Sequence, residues 1–220
     1  MIGRLAGSTN NALLVAVGDG NEALPAVYKP IVGERPLFDF PDGTLAHREV
    51  AAFLVSEATG WGVVPPTVMR DGPYGAGMVQ RWIEADPAAD VVAMVVGDDP
   101  RLRPIALFDA VINNADRKGG HLLPMPDGHV FGVDHGVTFS LEPKLRTVLW
   151  GWEGEPLEPA ERRALEGLRA RLAADLGAAL RPHLGTDEID ATRSRLEDLL
   201  AADVFPSPSP TWPALPWPPF

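Results

Sequence analysis

The sequence contains no cysteine, so disulfide bonds, a thiol nucleophile and a thiolate metal site are all excluded. It also lacks any run of about 18 apolar residues, the length that a helix needs to cross a bilayer. Positive charge is scarce, because 30 acidic residues outnumber 19 basic ones and the net charge is −11. This balance argues against nonspecific nucleic-acid binding and against a polybasic membrane contact. A polyanionic nucleotide would therefore need a local positive site and a divalent cation.

Residues 1–10 have no basic segment followed by an apolar core, so we expect that they are not a signal peptide. We therefore expect a cytoplasmic protein that does not insert into membranes. Its 220 residues, 45% hydrophobic and 22% charged, fall within the globular range. That length allows one domain with a good core, or two small lobes that share a cleft.

Two aspartate-containing loops stand out in the second half of the chain. Asp116 lies in the Gly-rich loop 113–121, which follows an apolar helix pattern. Asp134 follows a second apolar run and is followed by His135 and Gly136. Such an arrangement is expected where one carboxylate orients a substrate hydroxyl and another holds a metal on a nucleoside triphosphate. An Asp-Arg pair alone is a weak signal, but two carboxylate loops in this order favour that chemistry.

The N-terminal part of the sequence predicts a β-hairpin. An apolar run at 12–17 and a second extended run at 24–29 are separated by a strong turn signal. The loop that opens the hairpin contains Ser8, Thr9 and Asn10, whose backbone N–H groups are suited to contact phosphates. A flexible N-terminus that leads into the hairpin is an equally good interpretation.

A lysine and a glutamate follow at positions where they can meet. Lys29 ends the second predicted strand, and Glu49 lies in a predicted helix over 45–59. In kinases a strand lysine neutralises phosphate oxygens and a helix glutamate holds it in place. The alternative is that both residues are ordinary solvated surface charges.

These features, taken in order, resemble the phosphatidylinositol 3/4-kinase-like superfamily. Its signature is an Asp-Arg pair, an Asn or His a few residues later, and then a metal-binding Asp beside Gly. Segments 48–52 and 62–66 look like small bacterial members, and segment 28–37 resembles an actinobacterial kinase-like family of unassigned substrate. The resemblance covers about residues 3–140.

The resemblance implies an α+β fold with two lobes, as in protein kinases. Residues 1–83 would form an N-lobe with a small antiparallel β-sheet and a helix. Residues 84–204 would form a compact, mostly helical C-lobe that carries the catalytic and metal loops. Residues 205–220 are a Pro-rich tail, and its large aromatics Trp212, Trp217 and Phe220 favour docking on the body over disorder.

Catalytic roles follow from the same resemblance. Lys29 would neutralise the phosphates of ATP, with Glu49 fixing its ammonium group. Asp116 would orient the acceptor hydroxyl and take its proton late in the reaction. Arg117 would pair with a carboxylate or steady the loop.

Metal and adenine contacts are implied in the same way. Asp134 would bind Mg²⁺ or Mn²⁺ on the phosphates, and His121 stands where the family has a metal-binding Asn or His. Residues Gln80, Arg81 and Trp82 would form the hinge between the lobes, whose backbone binds the adenine. Trp82 is equally well interpreted as a core residue.

The C-terminal sequence predicts a short helical pattern at 91–95 that ends at Gly97, and three longer helices. Residues 100–114 would form the main helix of the C-lobe. Leucines at helical spacing predict one amphipathic helix over 159–180, and a second follows at 188–202. Thr186 and Asp187 are the predicted cap of that last helix.

The sequence thus predicts a monomeric atypical kinase that moves the γ-phosphate of ATP to a hydroxyl group. The acceptor stays open between a protein, this chain itself and a small metabolite, while a lipid is disfavoured because no basic patch is present. Two other functions stay open: a nucleotide-binding pseudokinase that regulates a partner, and a protein nucleotidyltransferase that binds the triphosphate in a flipped orientation.

Overall fold

The computed structural model describes residues 3–4, 12–18 and 23–220.

The N-lobe is built on a five-stranded antiparallel sheet. The predicted hairpin is confirmed, with Leu13 opposite Tyr28 in the register of the pair. The strand order is β1-β2-β3-β5-β4, so the hairpin continues into the pair formed by the last two strands. The strands are β1 Gly3–Arg4, β2 Leu13–Val17, β3 Leu24–Pro30, β4 Thr67–Gly72 and β5 Gly75–Arg81.

Helix α1 (Leu45–Thr59) covers one face of this sheet and has the predicted span. The carboxylate of Glu34 accepts the N–H groups of Leu45 at 3.1 Å and Ala46 at 2.8 Å, which satisfies two donors of the first turn. Gly60 ends the helix in the left-handed conformation, with φ 73°, where a residue without a side chain is least strained. The helix packs against Met78 of the sheet on one side and against the C-lobe on the other.

The C-lobe surrounds helix α3, whose buried leucine, phenylalanine and isoleucine side chains form the centre of the main core. The predicted α+β architecture, with a small sheet and one helix packed on a mostly helical lobe, is therefore confirmed. None of the helices in the described part of the chain is long and apolar enough to cross a membrane. The elements are α2 Val91–Val96, α3 Arg103–Ile112, β6 Leu122–Pro124, β7 Val130–Gly132, α4 Pro159–Leu172, α5 Asp175–Leu180 and α6 Thr186–Ala202.

Two details of the predicted helices are wrong. The single helix expected over 159–180 is broken at Ala174, whose φ of −123° and ψ of −115° are not helical. At Gly177 an added Cβ would lie 2.3 Å from the carbonyl oxygen of Leu172, so the close approach of α5 to α4 requires glycine there. The cap of α6 is Gly185 rather than Thr186, and the carboxylate of Glu188 accepts the N–H of Gly185 at 2.8 Å.

Helix α1 is attached to the C-lobe through Arg48. Its guanidinium is buried, forms an ion pair with Glu188 on α6 and donates to the carbonyl of Thr138 at 2.6 Å. It also lies over the ring of Phe40, 4.8 Å from the ring centroid. Because these contacts lie one residue before Glu49, they fix the orientation of that side chain relative to the C-lobe.

The Pro-rich tail docks on the C-lobe mainly through its backbone. The carbonyl of Ala214 accepts hydrogen bonds from the Thr147 N–H and the Trp150 indole, at 3.1 and 2.9 Å. The carbonyl of Pro219 accepts the N–H of Gly119 at 2.8 Å. Docking of the tail is therefore confirmed, but docking of all its large aromatics is wrong, because Trp217 is 87% exposed.

Candidate functional site

Lys29 lies where the two lobes meet. It is the last residue but one of β3, and its ammonium is 2.6 Å from Oε1 of Glu49 and 2.9 Å from Oδ1 of Asp134. Burial acts to lower the pKa of Lys29, but the carboxylates of Asp134 and Glu49 outweigh it and raise the pKa above its ordinary value. The lysine therefore stays charged, and it joins the sheet, helix α1 and the loop after β7.

Glu49 makes the ion pair with Lys29 that the sequence predicts. Its side chain is only 2% exposed, and its second oxygen accepts the backbone N–H of His135 at 2.9 Å. One carboxylate of α1 thus holds both the lysine and the loop that carries Asp134. A buried carboxylate with two partners is rigid, so the lysine has a defined position.

Asp134 presents its carboxylate to the cleft from a left-handed backbone conformation, with φ 62°. The side chain is 52% exposed, and the nearby Lys29 ammonium is the main reason that its pKa lies well below the usual value. A non-glycine residue in this region of φ is uncommon, and such strain is often found at functional sites. The carboxylate is therefore ionised and accessible.

His121 lies beside Asp134, with Nε2 3.6 Å from Oδ2 of the carboxylate. Its other ring nitrogen, Nδ1, accepts the backbone N–H of Lys118 at 3.4 Å. A neutral imidazole has one donor and one acceptor nitrogen, so this bond places the proton on Nε2, facing Asp134. Burial is the largest cause that lowers the pKa of His121. The ring is thus neutral at neutral pH and points an N–H at the carboxylate.

The loop of Asp116 begins where α3 ends. Asn113 adopts the left-handed conformation, with φ 52°, and caps the helix. The N–H of Asp116 donates to the side chain of Asn114 at 3.1 Å. The Asp116 carboxylate is partly exposed and lies 3.3 Å from the Lys118 ammonium and 3.5 Å from the Arg146 guanidinium. Two cations from different segments thus orient it.

Arg117 is fully buried beneath this loop. Its guanidinium donates to both oxygens of Asp109 on α3, at 2.9 and 2.8 Å, and to the carbonyl of Val133 at 2.9 Å. It also lies 2.6 Å from Nε2 of His135, which must be the acceptor because a guanidinium only donates. One side chain therefore ties α3 and the Asp116 loop to the loop of Asp134.

Two members of this network, Asp109 and His135, were not predicted as site residues from the sequence. The available signal for Asp109 was its position as the one acidic residue in the apolar helix α3. His135 is buried, packs edge-on against Phe108 and has its Nδ1 unpartnered among the described residues. Burial is the largest cause, and Arg117 the next, that lowers its pKa well below the ordinary value, so the ring is neutral.

The predicted hinge residues end β5. The side chain of Gln80 is buried and donates to a threonine hydroxyl on β4 at 2.9 Å. The N–H of Arg81 donates to the carbonyl of Pro66 at 2.9 Å. The N–H of Trp82 donates to the carbonyl of Pro25 at 3.0 Å. These two N–H groups are thus engaged within the sheet, and adenine binding by the segment stays a prediction.

The predicted phosphate contacts at Ser8, Thr9 and Asn10 lie outside the described residues. They would begin the same hairpin that ends with Lys29, so their place in the sequence remains the only argument for them. Their role in nucleotide binding stays a prediction.

A resident all-protein metal cage is not found among the described residues, which contain no group of three or more His, Cys, Asp or Glu side chains suited to one ion. The predicted metal ligand at the cleft, the carboxylate of Asp134, is accessible. Mg²⁺ is usually held by one or two carboxylates together with substrate phosphates and water. This carboxylate therefore fits a metal that arrives with a nucleotide.

The lysines of the chain lie at or beside this site. The chain has only three lysines, and they are Lys29 beside Asp134, Lys118 beside Asp116, and Lys144 in the neighbouring segment that also carries Arg146. In a protein of net charge −11, the Lys29 ammonium is thus a cation that a polyanionic ligand could contact in place of a carboxylate.

Comparison with known proteins places this geometry in a fold class. The crystal structure of the Helicobacter pylori proinflammatory kinase CtkA superposes with a TM-score of 0.55, covering 92% of this chain and 90% of that chain at 10% identity. The fold is therefore that of the kinase-like proteins, as predicted, although membership of the phosphatidylinositol 3/4-kinase-like group is not established by it.

The family is defined by a sequence relative. The chain is 43% identical to the protein Rv2133c of Mycobacterium tuberculosis, over an alignment of 255 positions that covers all of this chain and 91% of that protein. The chain belongs to the same family as Rv2133c. No family model matches the sequence.

Proposed function

We propose that this protein is an ATP-dependent phosphotransferase that moves the γ-phosphate of ATP to a hydroxyl group. The observation that supports this most is the position of the Lys29 ammonium between the carboxylates of Glu49 and Asp134, at 2.6 and 2.9 Å. A strand lysine, a helix glutamate and a loop aspartate meet here from both lobes of a kinase-like fold. Phosphoryl transfer needs this combination of cation and metal-binding carboxylate.

The ion pair between Lys29 and Asp134 suits a ligand that carries both kinds of charge. A nucleoside triphosphate with Mg²⁺ offers phosphate oxygens to the lysine and a cation to the aspartate. Lys29 would then pair with phosphate instead of Asp134, and Asp134 would pair with Mg²⁺ instead of Lys29. Glu49 keeps the lysine in place during this exchange, because its own position is fixed by the His135 N–H. Bound Mg²⁺ would neutralise the charge of the phosphates.

Asp116 is the proposed general base and orienting group for the acceptor. Its carboxylate is accessible, and Lys118 and Arg146 hold it from two sides. Arg117 has no exposed surface, so we assign it a positioning role: it fixes the Asp116 loop relative to the loop of Asp134 through Asp109 and Val133. The sequence suggested a catalytic role for Arg117; because the side chain is buried, we limit that role to positioning the two loops.

The binding half of this proposal is tested by thermal unfolding. ATP with Mg²⁺ should raise the melting temperature, because a ligand that binds only the folded state adds about 2.7 kcal/mol at a hundredfold excess over its dissociation constant. Lys29→Ala and Asp134→Ala should each reduce this shift strongly. Arg70→Ala, on the edge strand β4, is the matched control and should keep it. An unchanged shift in both cleft variants would show that Lys29 and Asp134 do not form the ATP site.

The tautomer of His121 leads to a prediction about the metal. If Nε2 carries the proton, His121 orients Asp134 and does not ligate, so the bound cation has only oxygen ligands. His121→Asn should then leave the ratio of Mg²⁺ to Mn²⁺ affinity unchanged within about a factor of three, as read from Mn²⁺ electron paramagnetic resonance in the presence of ATP. A shift of roughly tenfold or more toward Mg²⁺ would show that the imidazole is a ligand after all.

A further inference from the structure

A pocket of about 250 Å³ opens directly beside Asp116. Ala115, Asp116 and Val137 line it together with three segments that are distant in the sequence: the loop around Phe38 and Phe40, the segment of Lys144 and Arg146, and Trp212 of the tail. Its volume lies below the roughly 300–1,000 Å³ of pockets for drug-sized ligands, so one small ring is the size of molecule that it accommodates. If Asp116 is the general base, this is where its acceptor would lie.

The charged groups of the pocket compensate one another. Lys144 is buried and lies 2.9 Å from Asp39, and its ammonium is 5.1 and 4.9 Å from the ring centroids of Phe40 and Trp212. Arg146 is 3.5 Å from Asp116 and also donates to the carbonyl of Ala115 at 2.7 Å. Lys118 also lies 3.3 Å from Asp116, and Glu142 lies 3.9 Å from Lys144, so three carboxylates are matched by three cations. A charged ligand would therefore find no unpaired counter-charge.

Hydroxyl groups suit such paired charges. A hydroxyl both donates and accepts, so it can bond to a carboxylate and to an adjacent guanidinium without disturbing the ion pair. The lining adds aromatic surface: Phe38 is 94% exposed, and Trp212 of the tail is half-buried. Aromatic faces cover the C–H face of a ring while its hydroxyl groups reach the polar floor.

We propose that this pocket binds an uncharged, hydroxyl-rich ring, such as a monosaccharide or a cyclic polyol, as the phosphoryl acceptor, and that Trp212 of the Pro-rich tail completes it. This proposal rests on the proposed phosphotransferase function. In the reaction a ring hydroxyl oxygen forms a bond to the γ-phosphorus, the bond from that phosphorus to the β–γ bridging oxygen breaks, and ADP leaves. The hydroxyl proton passes to Asp116.

The tail is held in place for this role by backbone contacts on both sides of Trp212. Before it, the N–H of Phe205 donates to the carbonyl of Glu155 at 2.9 Å; after it, the carbonyl of Ala214 accepts from Thr147 and Trp150. Thr147 follows Arg146 directly, so the tail and the polar floor of the pocket share one anchored segment. The tail therefore acts as a wall of the pocket and is not a free linker.

Saturation-transfer NMR on the full chain tests the pocket without requiring catalysis. The test compounds are D-glucose, D-mannose and myo-inositol, with glucose 6-phosphate and glucosamine as charged counterparts. At least one neutral compound should show saturable transfer, and both charged compounds should bind roughly tenfold more weakly than that compound, or worse. Trp212→Ala should weaken binding roughly tenfold or more, since one aromatic face is lost. Trp217→Ala, which alters an exposed tryptophan of the same tail, should bind like the wild type.

The outcomes separate this proposal from the proposed function. Absence of transfer to all three neutral compounds, tighter binding of the charged ones, or unchanged binding in Trp212→Ala each overturns the sugar pocket. Thermal shifts with ATP and Mg²⁺ on the same samples report on the nucleotide site alone. If the protein binds ATP but none of the neutral rings, the proposed phosphotransferase function still stands and the proposed acceptor is wrong.

Discussion

Replacing Asp116 by asparagine is expected to lower the rate of phosphate transfer, or of ATP hydrolysis, by roughly 10²–10⁴-fold, the usual contribution of a general base. Asparagine keeps the size of the side chain and removes the charge that accepts the proton. ATP binding should survive, because the groups assigned to the phosphates and the metal, Lys29 and Asp134, are unchanged. The rate and the thermal shift with ATP, measured on the same preparation, separate chemistry from binding.

Asp71→Asn is the control for this change, since Asp71 is an exposed aspartate on the edge strand β4 of the N-lobe. It should keep the wild-type rate. Wild-type turnover in Asp116→Asn would mean that Asp116 only shapes its loop and is not the general base.

Replacing Arg117 by methionine is expected to destabilise the protein by about 3–5 kcal/mol, because the change leaves a buried carboxylate without its partner. Arg117 and Asp109 are both completely buried, and the guanidinium holds both oxygens of the carboxylate. The loop carbonyl of Val133 also loses its donor. Urea unfolding measured by circular dichroism should show a lower midpoint with an unchanged slope.

Two comparisons check that the effect comes from the buried charge. Arg193→Met removes an exposed partner of Asp190 on α6 and should change stability little, since exposed ion pairs contribute little. The double variant Arg117→Met with Asp109→Leu removes the orphaned charge and should recover much of the loss. A double variant no more stable than Arg117→Met would show that the loop contacts of Arg117, rather than the ion pair, determine stability.

Local signals in the sequence predicted much of the N-lobe and its site. Helix α1 has the predicted span because apolar spacing and the cap at Gly60 are both local features. The pair of Lys29 and Glu49 was predictable since one residue ends a strand and the other lies on the helix face toward the sheet. The span of helix α1 is confirmed, and so is the ion pair, whose atoms lie 2.6 Å apart.

Features that depend on distant segments were not predicted. Buried leucines keep helical spacing through α4 and α5, at positions 165, 168, 172, 176 and 180. Their spacing therefore gives no sign of the break between the two helices. The partner of Arg117 lies eight residues earlier, on α3, and the loop must turn back to reach it. The pocket beside Asp116 joins segments near residues 38, 146 and 212, and no local pattern connects them.

The most direct test of the central claim follows the label of radioactive ATP. The protein is incubated with γ-labelled ATP, and separately with α-labelled ATP, in Mg²⁺ with a hydroxyl-rich acceptor, and the label is followed into acceptor, protein and inorganic phosphate. Label should leave ATP only from the γ position, and Asp116→Asn should suppress this transfer. Transfer from the α position would identify a nucleotidyltransferase, and no transfer from either position, despite ATP binding, would contradict the phosphotransferase assignment.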